Sequence, residues 1–175
     1  MSSLRINLIN CDERLLRIIL DGGNETLSKE LDVEVPNQWN EFSKAIFEFA
    51  LKIIKEHPAD AKWLLYLPIE TKSKVLLGSC GYKGAPDKNG MVEIGYEVVK
   101  AHRNKGYATE ITDLLVKLAF SDRKIKKIQA HTAVENKASV RVLEKSDFHF
   151  VKEYLDGDDG LVRQWMVEKI MTGDV

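Results

Sequence analysis

The sequence lacks an excess of charge of either sign. Lysine and arginine together number 26, against 27 aspartates and glutamates, and the formal net charge is −1. Nucleic acids and anionic membranes attract proteins with concentrated positive charge, and this balanced composition supplies no such net field. We therefore expect neither a nucleic acid nor a membrane surface as a partner.

Cysteine and histidine are also scarce. The two cysteines, Cys11 and Cys80, do not have the spacing of a metal site, and two thiols in a chain of this size are typical of reduced, cytosolic proteins. The four histidines are scattered without ligand spacing, so no metal is predicted. They are His57, His102, His131 and His149.

Long apolar runs are missing as well. No stretch approaches the roughly 18 apolar residues of a membrane span, and residues 1–5 lack the apolar run of a signal peptide. A cytoplasmic protein is the expectation. The 175 residues, 44% hydrophobic and 30% charged, suffice for one substantial core but not comfortably for two, which predicts a single domain, 1–175.

Strand and helix patterns alternate along the chain. Short apolar or alternating runs predict strands, and apolar residues at three-and-four spacing predict helices. The strands are expected at 4–8, 63–69, 75–82, 92–98, 127–132, 148–154 and 161–167. The helices are expected at 12–20, at 38–56, from residue 107 onward and at 136–145. This order predicts a mixed α/β fold with mostly antiparallel strand pairing in the first half of the chain. The polar segment 22–36 is predicted to be a loop or a broken helix.

The longest helix pattern lies within residues 38–56. Its apolar residues recur at three-and-four spacing, which places them on one face of an amphipathic helix. They are Trp39, Phe42, Ile46, Phe49 and Ile53. Pro58 is expected to end this helix.

The stretch RNKGYATE, residues 103–110, combines a glycine turn with the start of a helix. Gly106 permits a close backbone approach, and the first N–H groups of a helix have no acceptor within it. Such a start suits an anion, above all a phosphate. A strand, turn and helix with one glycine also occur merely for packing, so both interpretations are open. The turn matches neither GxGxxG nor GxxxxGK[ST], which argues against dinucleotide binding and nucleotide triphosphatase activity.

Two motifs resemble those of the GNAT family of N-acetyltransferases. RNKGYA, residues 103–108, is similar to the family's Q/R-x-x-G-x-G/A, and its context EIGYEVVKAHRNKGYATE resembles the branch that contains ribosomal-protein N-terminal acetyltransferases. ENKASVRVLEKSDF, further along the chain, resembles N-x-x-S-x-x-x-x-E/K-x-G-F, with Asp147 in place of the glycine. The resemblance implies a GNAT fold, an α/β architecture with a central mixed, mostly antiparallel twisted sheet of six to seven strands and helices on both faces.

The resemblance also implies acetyl-coenzyme A as co-substrate, with its pyrophosphate held by backbone N–H groups of the glycine turn. The helix dipole favours an anion there. The turn consists of Arg103, Asn104, Lys105, Gly106, Tyr107, Ala108 and Thr109. Val98 and Val99 would offer backbone groups to the pantetheine arm from a splayed strand, and Asn136 and Ser139 would lie near the thioester. On the residues alone, the valines can equally be core and Asn136 a helix N-cap.

Amine acylation needs an unprotonated amine, a polarised thioester carbonyl and a proton for the leaving thiolate. Glu93, on the strand that would carry the co-substrate, is a candidate base, and Glu153 matches a glutamate with that proposed role in the ribosomal-protein branch. Ser139 matches a serine proposed there to protonate the thiolate, whereas Leu143 stands where many members have a tyrosine acid. Each carboxylate can equally be an ordinary strand or surface residue, and Ser139 a helix serine that bonds a backbone carbonyl.

The predicted activity is transfer of an acetyl group to a primary amine by direct attack in a ternary complex. An acyl-coenzyme A sensor without turnover is the alternative, since the tyrosine acid is missing. The acceptor stays open among a protein N-terminus, a polyamine and another small amine. Five acidic residues of one segment would suit a cationic acceptor, and an ordinary solvated surface is the alternative: Asp21, Glu25, Glu30, Asp32 and Glu34. The sequence leaves the oligomeric state open, a homodimer included.

Overall fold

A computed structural model describes residue 3 and residues 5–41, 44–157 and 160–169. Its strands are β1 (Ile6–Asn10), β2 (Leu65–Glu70), β3 (Val75–Leu76), β4 (Gly78–Tyr82), β5 (Met91–Val98), β6 (Lys127–Ala133), β7 (His149–Asp156) and β8 (Gly160–Glu168). Its α-helices are α1 (Glu13–Arg17), α2 (Gly23–Leu31), α3 (Ala45–Glu56), α4 (Tyr107–Ser121) and α5 (Lys137–Lys145). A π-helical turn (Ile18–Gly22) joins α1 to α2, and two 3-10 helices span Pro58–Trp63 and Lys100–His102. No helix within the described ranges is long and apolar enough to cross a membrane.

The strands form one mixed sheet in the order β1-β2-β4-β5-β6-β8-β7, with β3 beside β2. The β5–β6 pair is parallel, and the other described strand pairs are antiparallel. The predicted mixed, mostly antiparallel sheet is therefore confirmed. It has eight strands rather than six to seven, because the apolar run 75–82 divides at Leu77 into β3 and β4.

Helices cover both faces of the sheet, as predicted, and each face has its own core. One core lies under α4 and α5 and includes Ile94, Leu115 and Trp165. The other lies under α1, α2 and α3 and includes Phe47. Successive side chains of a strand point to opposite faces, and in β2 this places Tyr66 in the first core and Leu67 in the second.

The helix predicted at 38–56 is shorter, and its buried face differs from the prediction. It begins at Ala45, while Trp39 precedes it and packs edge-on against Phe47 with 5.8 Å between ring centroids. Phe42 lies outside the described residues. The face turned to the core is Phe47, Ala50 and Ile54, whereas Phe49 is 51% exposed. The prediction failed because α3 has two adjacent apolar stripes, and the one with Phe49 lines a cavity.

Most of the segment 22–36 is helical: α2 covers Gly23–Leu31, and residues 32–36 follow as a turn with an isolated bridge from Glu34 to Val75. The helix predicted at 12–20 starts as α1, where the Asp12 side chain accepts a hydrogen bond from Leu15 N–H at 2.8 Å. It continues as the π-helical turn and then, after a break at Gly23 with φ of 70°, as α2. These helices cover one face of the β1–β2 side of the sheet.

The remaining predicted elements are present with small shifts at their ends. The hairpin predicted at 148–154 and 161–167 is β7 paired with β8, and residues 158–159 of its turn lie outside the described part, as does Leu4 of the first predicted strand. Asp147 has φ of 61°, the left-handed conformation in which the family's glycine would end the helix.

Candidate active site

The glycine turn before α4 has the geometry of an anion site. Asn104 and Gly106 are both left-handed, with φ of 61° and 82°. The first helical hydrogen bond runs from Glu110 N–H to Gly106 O at 3.2 Å. The N–H groups of Tyr107, Ala108 and Thr109 therefore have no acceptor within the helix. Together with the helix dipole, they suit a phosphate.

The Arg103 side chain contacts other groups of the protein and does not face the open side of this turn. Its Nε donates to Val98 O at 2.8 Å, and its Nη2 donates to Glu41 Oε2 at 2.8 Å. A residue that the sequence analysis missed, Arg5, reaches the turn instead. Arg5 Nη1 donates to Lys105 O at 3.2 Å, and its guanidinium lies 4.8 Å from the centre of the Tyr107 ring. Because Arg5 is almost a hundred residues from the turn, no local pattern could indicate this contact.

A gap opens between β5 and β6. The parallel pairing covers only Met91–Glu93 of β5 and ends where Glu93 faces Gln129. Lys83 N–H donates to Glu93 O, so the backbone groups of Glu93 point towards β4. In an antiparallel pair this orientation alternates from one residue to the next. The backbone N–H and C=O groups of Ile94, Tyr96 and Val98 therefore point away from β4, into the gap.

The two valines of this strand end differ in orientation. Val98 has its backbone on the gap side, where its carbonyl accepts from Arg103. Val99 N–H donates to Leu77 O at 2.8 Å, and Val99 O accepts from His102 N–H at 2.8 Å. Both side chains are buried, so the valines are core residues as well.

The start of α5 faces the same gap. Asn136 is its N-cap, with Oδ1 accepting from Ser139 N–H at 3.1 Å, which leaves the side-chain NH₂ as the donor for a ligand. Tyr96 OH donates to Ser139 O at 3.4 Å and links α5 to β5. Burial raises the pKa of Tyr96 to about 12. Leu143, which stands at the position of the tyrosine acid in the resembling family, is fully buried in the core.

Glu93 is the centre of a polar cluster at the closed end of the gap. Its Oε1 lies 3.0 Å from His131 Nδ1 and forms an ion pair with Lys83, and its Oε2 accepts from Gln129 Nε2 at 2.9 Å. Gln129 is held in turn by Gln164 Nε2 at 2.7 Å. Burial raises the pKa of Glu93, but Lys83 and His131 outweigh that effect and the net pKa is below its ordinary 4.5.

The structure does not bring the second carboxylate, Glu153, to this cluster. Arg163 Nε donates to Glu153 Oε2 at 2.9 Å, and Arg163 is the register partner of both Glu153 and Thr132. Thr132 lies on the face covered by α5, where its Oγ1 accepts from Trp165 Nε1. Glu93 shares the opposite face with its register partner Gln129. The two candidate bases are on different faces of the sheet.

A cavity of about 440 Å³ lies on the Glu93 face, between α3 and strands β2, β4 and β5. Its lining is almost entirely apolar and includes Ile46, Phe49, Leu64, Leu65, Gly81 and Gly95. Lys83 is at its rim and pairs with Glu93. Lys83 and Gly95 therefore place the cavity beside the Glu93 cluster, on the strand that borders the gap.

Comparison with known proteins gives similarity in sequence and in fold. A family model described as an acetyltransferase (GNAT) domain matches residues 22–149. The chain is 32% identical over 124 residues to the uncharacterized N-acetyltransferase YjdG of Bacillus subtilis (strain 168), and the match covers 69% of this chain and 72% of that protein. Among solved structures, a GNAT-family acetyltransferase from Bacillus anthracis has a TM-score of 0.65 at 18% identity, covering 96% of this chain and 97% of the other. A dodecameric spermidine N-acetyltransferase from Vibrio cholerae has a TM-score of 0.66 at 18% identity, with 95% of each chain covered.

Proposed function

The chain belongs to the GNAT family and is an acyltransferase, and on this premise we propose that it transfers acetyl from acetyl-coenzyme A to a primary amine by direct attack in a ternary complex. The observation that carries the proposal is the gap between β5 and β6, which connects the anion-binding start of α4 to the Glu93 cluster. An elongated ligand with a phosphate at one end and a reactive group at the other fits such a path.

The residues along this path have separate roles in the proposal. The N–H groups of Tyr107, Ala108 and Thr109 hold the pyrophosphate, with Arg5 adjacent to them. The backbone groups of Tyr96 and Val98 face the pantetheine arm as an added strand would. Asn136 offers its amide NH₂ from the opposite side of the gap, and Ser139 is placed on the same helix start.

For the proton of the attacking amine, the geometry favours Glu93 together with His131. The lowered pKa keeps Glu93 ionised at neutral pH but makes it a weak proton acceptor by itself. His131 Nδ1 lies 3.0 Å from Glu93 Oε1, and the carboxylate at this distance favours the tautomer with its proton on Nδ1, in which Nε2 holds the lone pair that takes the proton. Glu153 is less suited because it is paired with Arg163 on the other face.

Turnover tests the proposal directly. The purified protein is mixed with acetyl-coenzyme A and a panel of primary amines, and thiol release is followed together with the mass of each amine. We expect free coenzyme A only when an amine is present, with acetyl on the amine and none on the protein. Acetylated protein would contradict direct attack, and binding without any release across the panel would favour a sensor.

A further inference from the structure

We propose that the cavity between α3 and β5 is the acceptor site and that it takes a primary amine carried on an apolar body, such as an arylalkylamine, rather than a polyamine. This inference rests on the function proposed above and specifies its second substrate. Its basis is the chemistry of the cavity wall, the two glycines of its floor and the pairing of the charges around it.

The polar atoms near the cavity wall are engaged elsewhere. Ser79 Oγ donates to Glu97 Oε1 at 2.8 Å, and Tyr82 OH donates to Leu115 O, on α4, at 2.7 Å. Burial raises the pKa of the Cys80 thiol well above its ordinary value, so the thiol is neutral. What the wall presents is the side chains of Ile46 and Phe49 and the surfaces of β2, β4 and β5. An apolar body gains most by leaving water for such a site.

Two glycines form the floor next to the Glu93 cluster. Gly81 and Gly95 are register partners on the face that carries Glu93. Gly81 is required by the fold, because an added Cβ would lie 2.0 Å from Leu64 O. At Gly95 an added Cβ would meet nothing within 4 Å, and the backbone there has ordinary φ. The strand does not need glycine at 95, and its absent side chain leaves the cavity open.

The charges around the cavity do not suit a polycation. Glu93 is paired with Lys83 and His131, and Glu97 accepts from Ser79 Oγ and from Glu41 N–H. Each ammonium of a polyamine would need a carboxylate when it leaves water. Lys83 at the rim would repel additional ammonium groups, and it would lower the pKa of a nearby amine towards the neutral form that attacks.

The acidic segment that suggested a cationic acceptor is also partly neutralised. Glu25 pairs with Lys29 at 2.8 Å, Glu30 pairs with Arg14, and Asp32 pairs with Lys74. Three of its five acidic side chains therefore have a cation beside them, and the segment is mostly helix α2. These pairs reduce its net negative charge and weaken the case for a polycationic acceptor.

The size of the cavity agrees with one small substrate. A volume of about 440 Å³ falls in the range of small-molecule sites, about 300–1,000 Å³. Phe49 is half exposed at its edge, where an aromatic body could pack against the ring. An amine at the Lys83 end of this cavity would lie beside Glu93 and His131.

The test compares 2-phenylethylamine with spermidine, using Gly95→Leu to fill the cavity and Gly157→Leu as the matched control. Gly157 also has ordinary φ and open space around an added Cβ, and it lies in the β7–β8 turn. We expect the parent to have a kcat/KM for 2-phenylethylamine that is about tenfold or more above its kcat/KM for spermidine. Gly95→Leu should lower the kcat/KM for 2-phenylethylamine by about tenfold or more and leave the affinity for acetyl-coenzyme A unchanged. Gly157→Leu should match the parent. A preference for spermidine, or full activity of a folded Gly95→Leu protein, would overturn the inference.

Calorimetry of 2-phenylethylamine binding separates this inference from the proposed function. If 2-phenylethylamine binds to the parent and not to Gly95→Leu, the cavity assignment is supported. This holds even if no acetyl transfer occurs, and in that case only the proposed function fails. Acetyl transfer to other amines without binding of 2-phenylethylamine would overturn the inference alone. Phe49→Asp, at a half-exposed position that tolerates change, should weaken 2-phenylethylamine binding and strengthen spermidine binding.

Discussion

Replacing Glu93 with glutamine tests the proposed proton acceptor with little change in shape. The amide keeps an oxygen for Gln129 Nε2, but it places an uncharged NH₂ where the carboxylate oxygen Oε1 faces His131 Nδ1 and the Lys83 ammonium. General acid–base groups contribute about 10²–10⁴-fold, and we expect Glu93→Gln to lower kcat/KM by about 10²-fold or more, equivalent to about 3 kcal/mol. The assay is steady-state release of coenzyme A at saturating acetyl-coenzyme A.

A double-mutant cycle with His131→Gln shows whether the two side chains act together. If they are one unit, the double variant should be no slower than the slower single variant. Glu153→Gln is the control carboxylate, since it pairs with Arg163 on the opposite face, and its kcat/KM should change by less than about threefold. Additive losses for Glu93 and His131, or a larger loss for Glu153→Gln than for Glu93→Gln, would refute the reasoning.

Two further predictions concern stability. Asp147 has a left-handed backbone with φ of 61°, a conformation that costs glycine less than aspartate. Asp147→Gly should therefore raise the free energy of unfolding, measured by urea titration, by about 0.5 kcal/mol. A decrease would show that the aspartate side chain compensates for the strain. The pKa of Glu93 is lowered in the folded state, so its contribution is present above its ordinary 4.5 and is lost as pH falls through the folded value. The difference in unfolding free energy between parent and Glu93→Gln should therefore shrink on acidification, and a constant difference would contradict this.

Local patterns predicted the parts of the site that depend on backbone conformation. The glycine turn was visible because Gly106 at φ of 82° and an uncapped helix start require a specific local sequence. The alternation of Val92, Ile94 and Val98 predicted β5, since a strand between two cores shows its period in the side chains. Asn136 was identified both as a ligand candidate and as a helix cap, and the cap is what the structure shows.

Features that depend on the meeting of distant segments could not be predicted. Arg5 contacts Lys105 O and the Tyr107 ring only because β1 lies beside the start of α4. His131 was considered only as a metal ligand, and its contact with Glu93 arises from the parallel β5–β6 pairing. The prediction of the core face of α3 was wrong because the helix carries two apolar stripes. The sequence does not indicate which of the two stripes packs against the core.

The most direct test of the central claim is a calorimetric titration with acetyl-coenzyme A. The protein is compared with Gly106→Trp, which places a bulky side chain at the phosphate turn, and with Gly23→Trp, which makes the same change at another glycine of positive φ, 70°, with open space around an added Cβ, at the start of α2. The account predicts binding by the parent and by Gly23→Trp, and loss of binding in a folded Gly106→Trp protein. Absence of binding by the folded parent, or equal binding by all three, would contradict it.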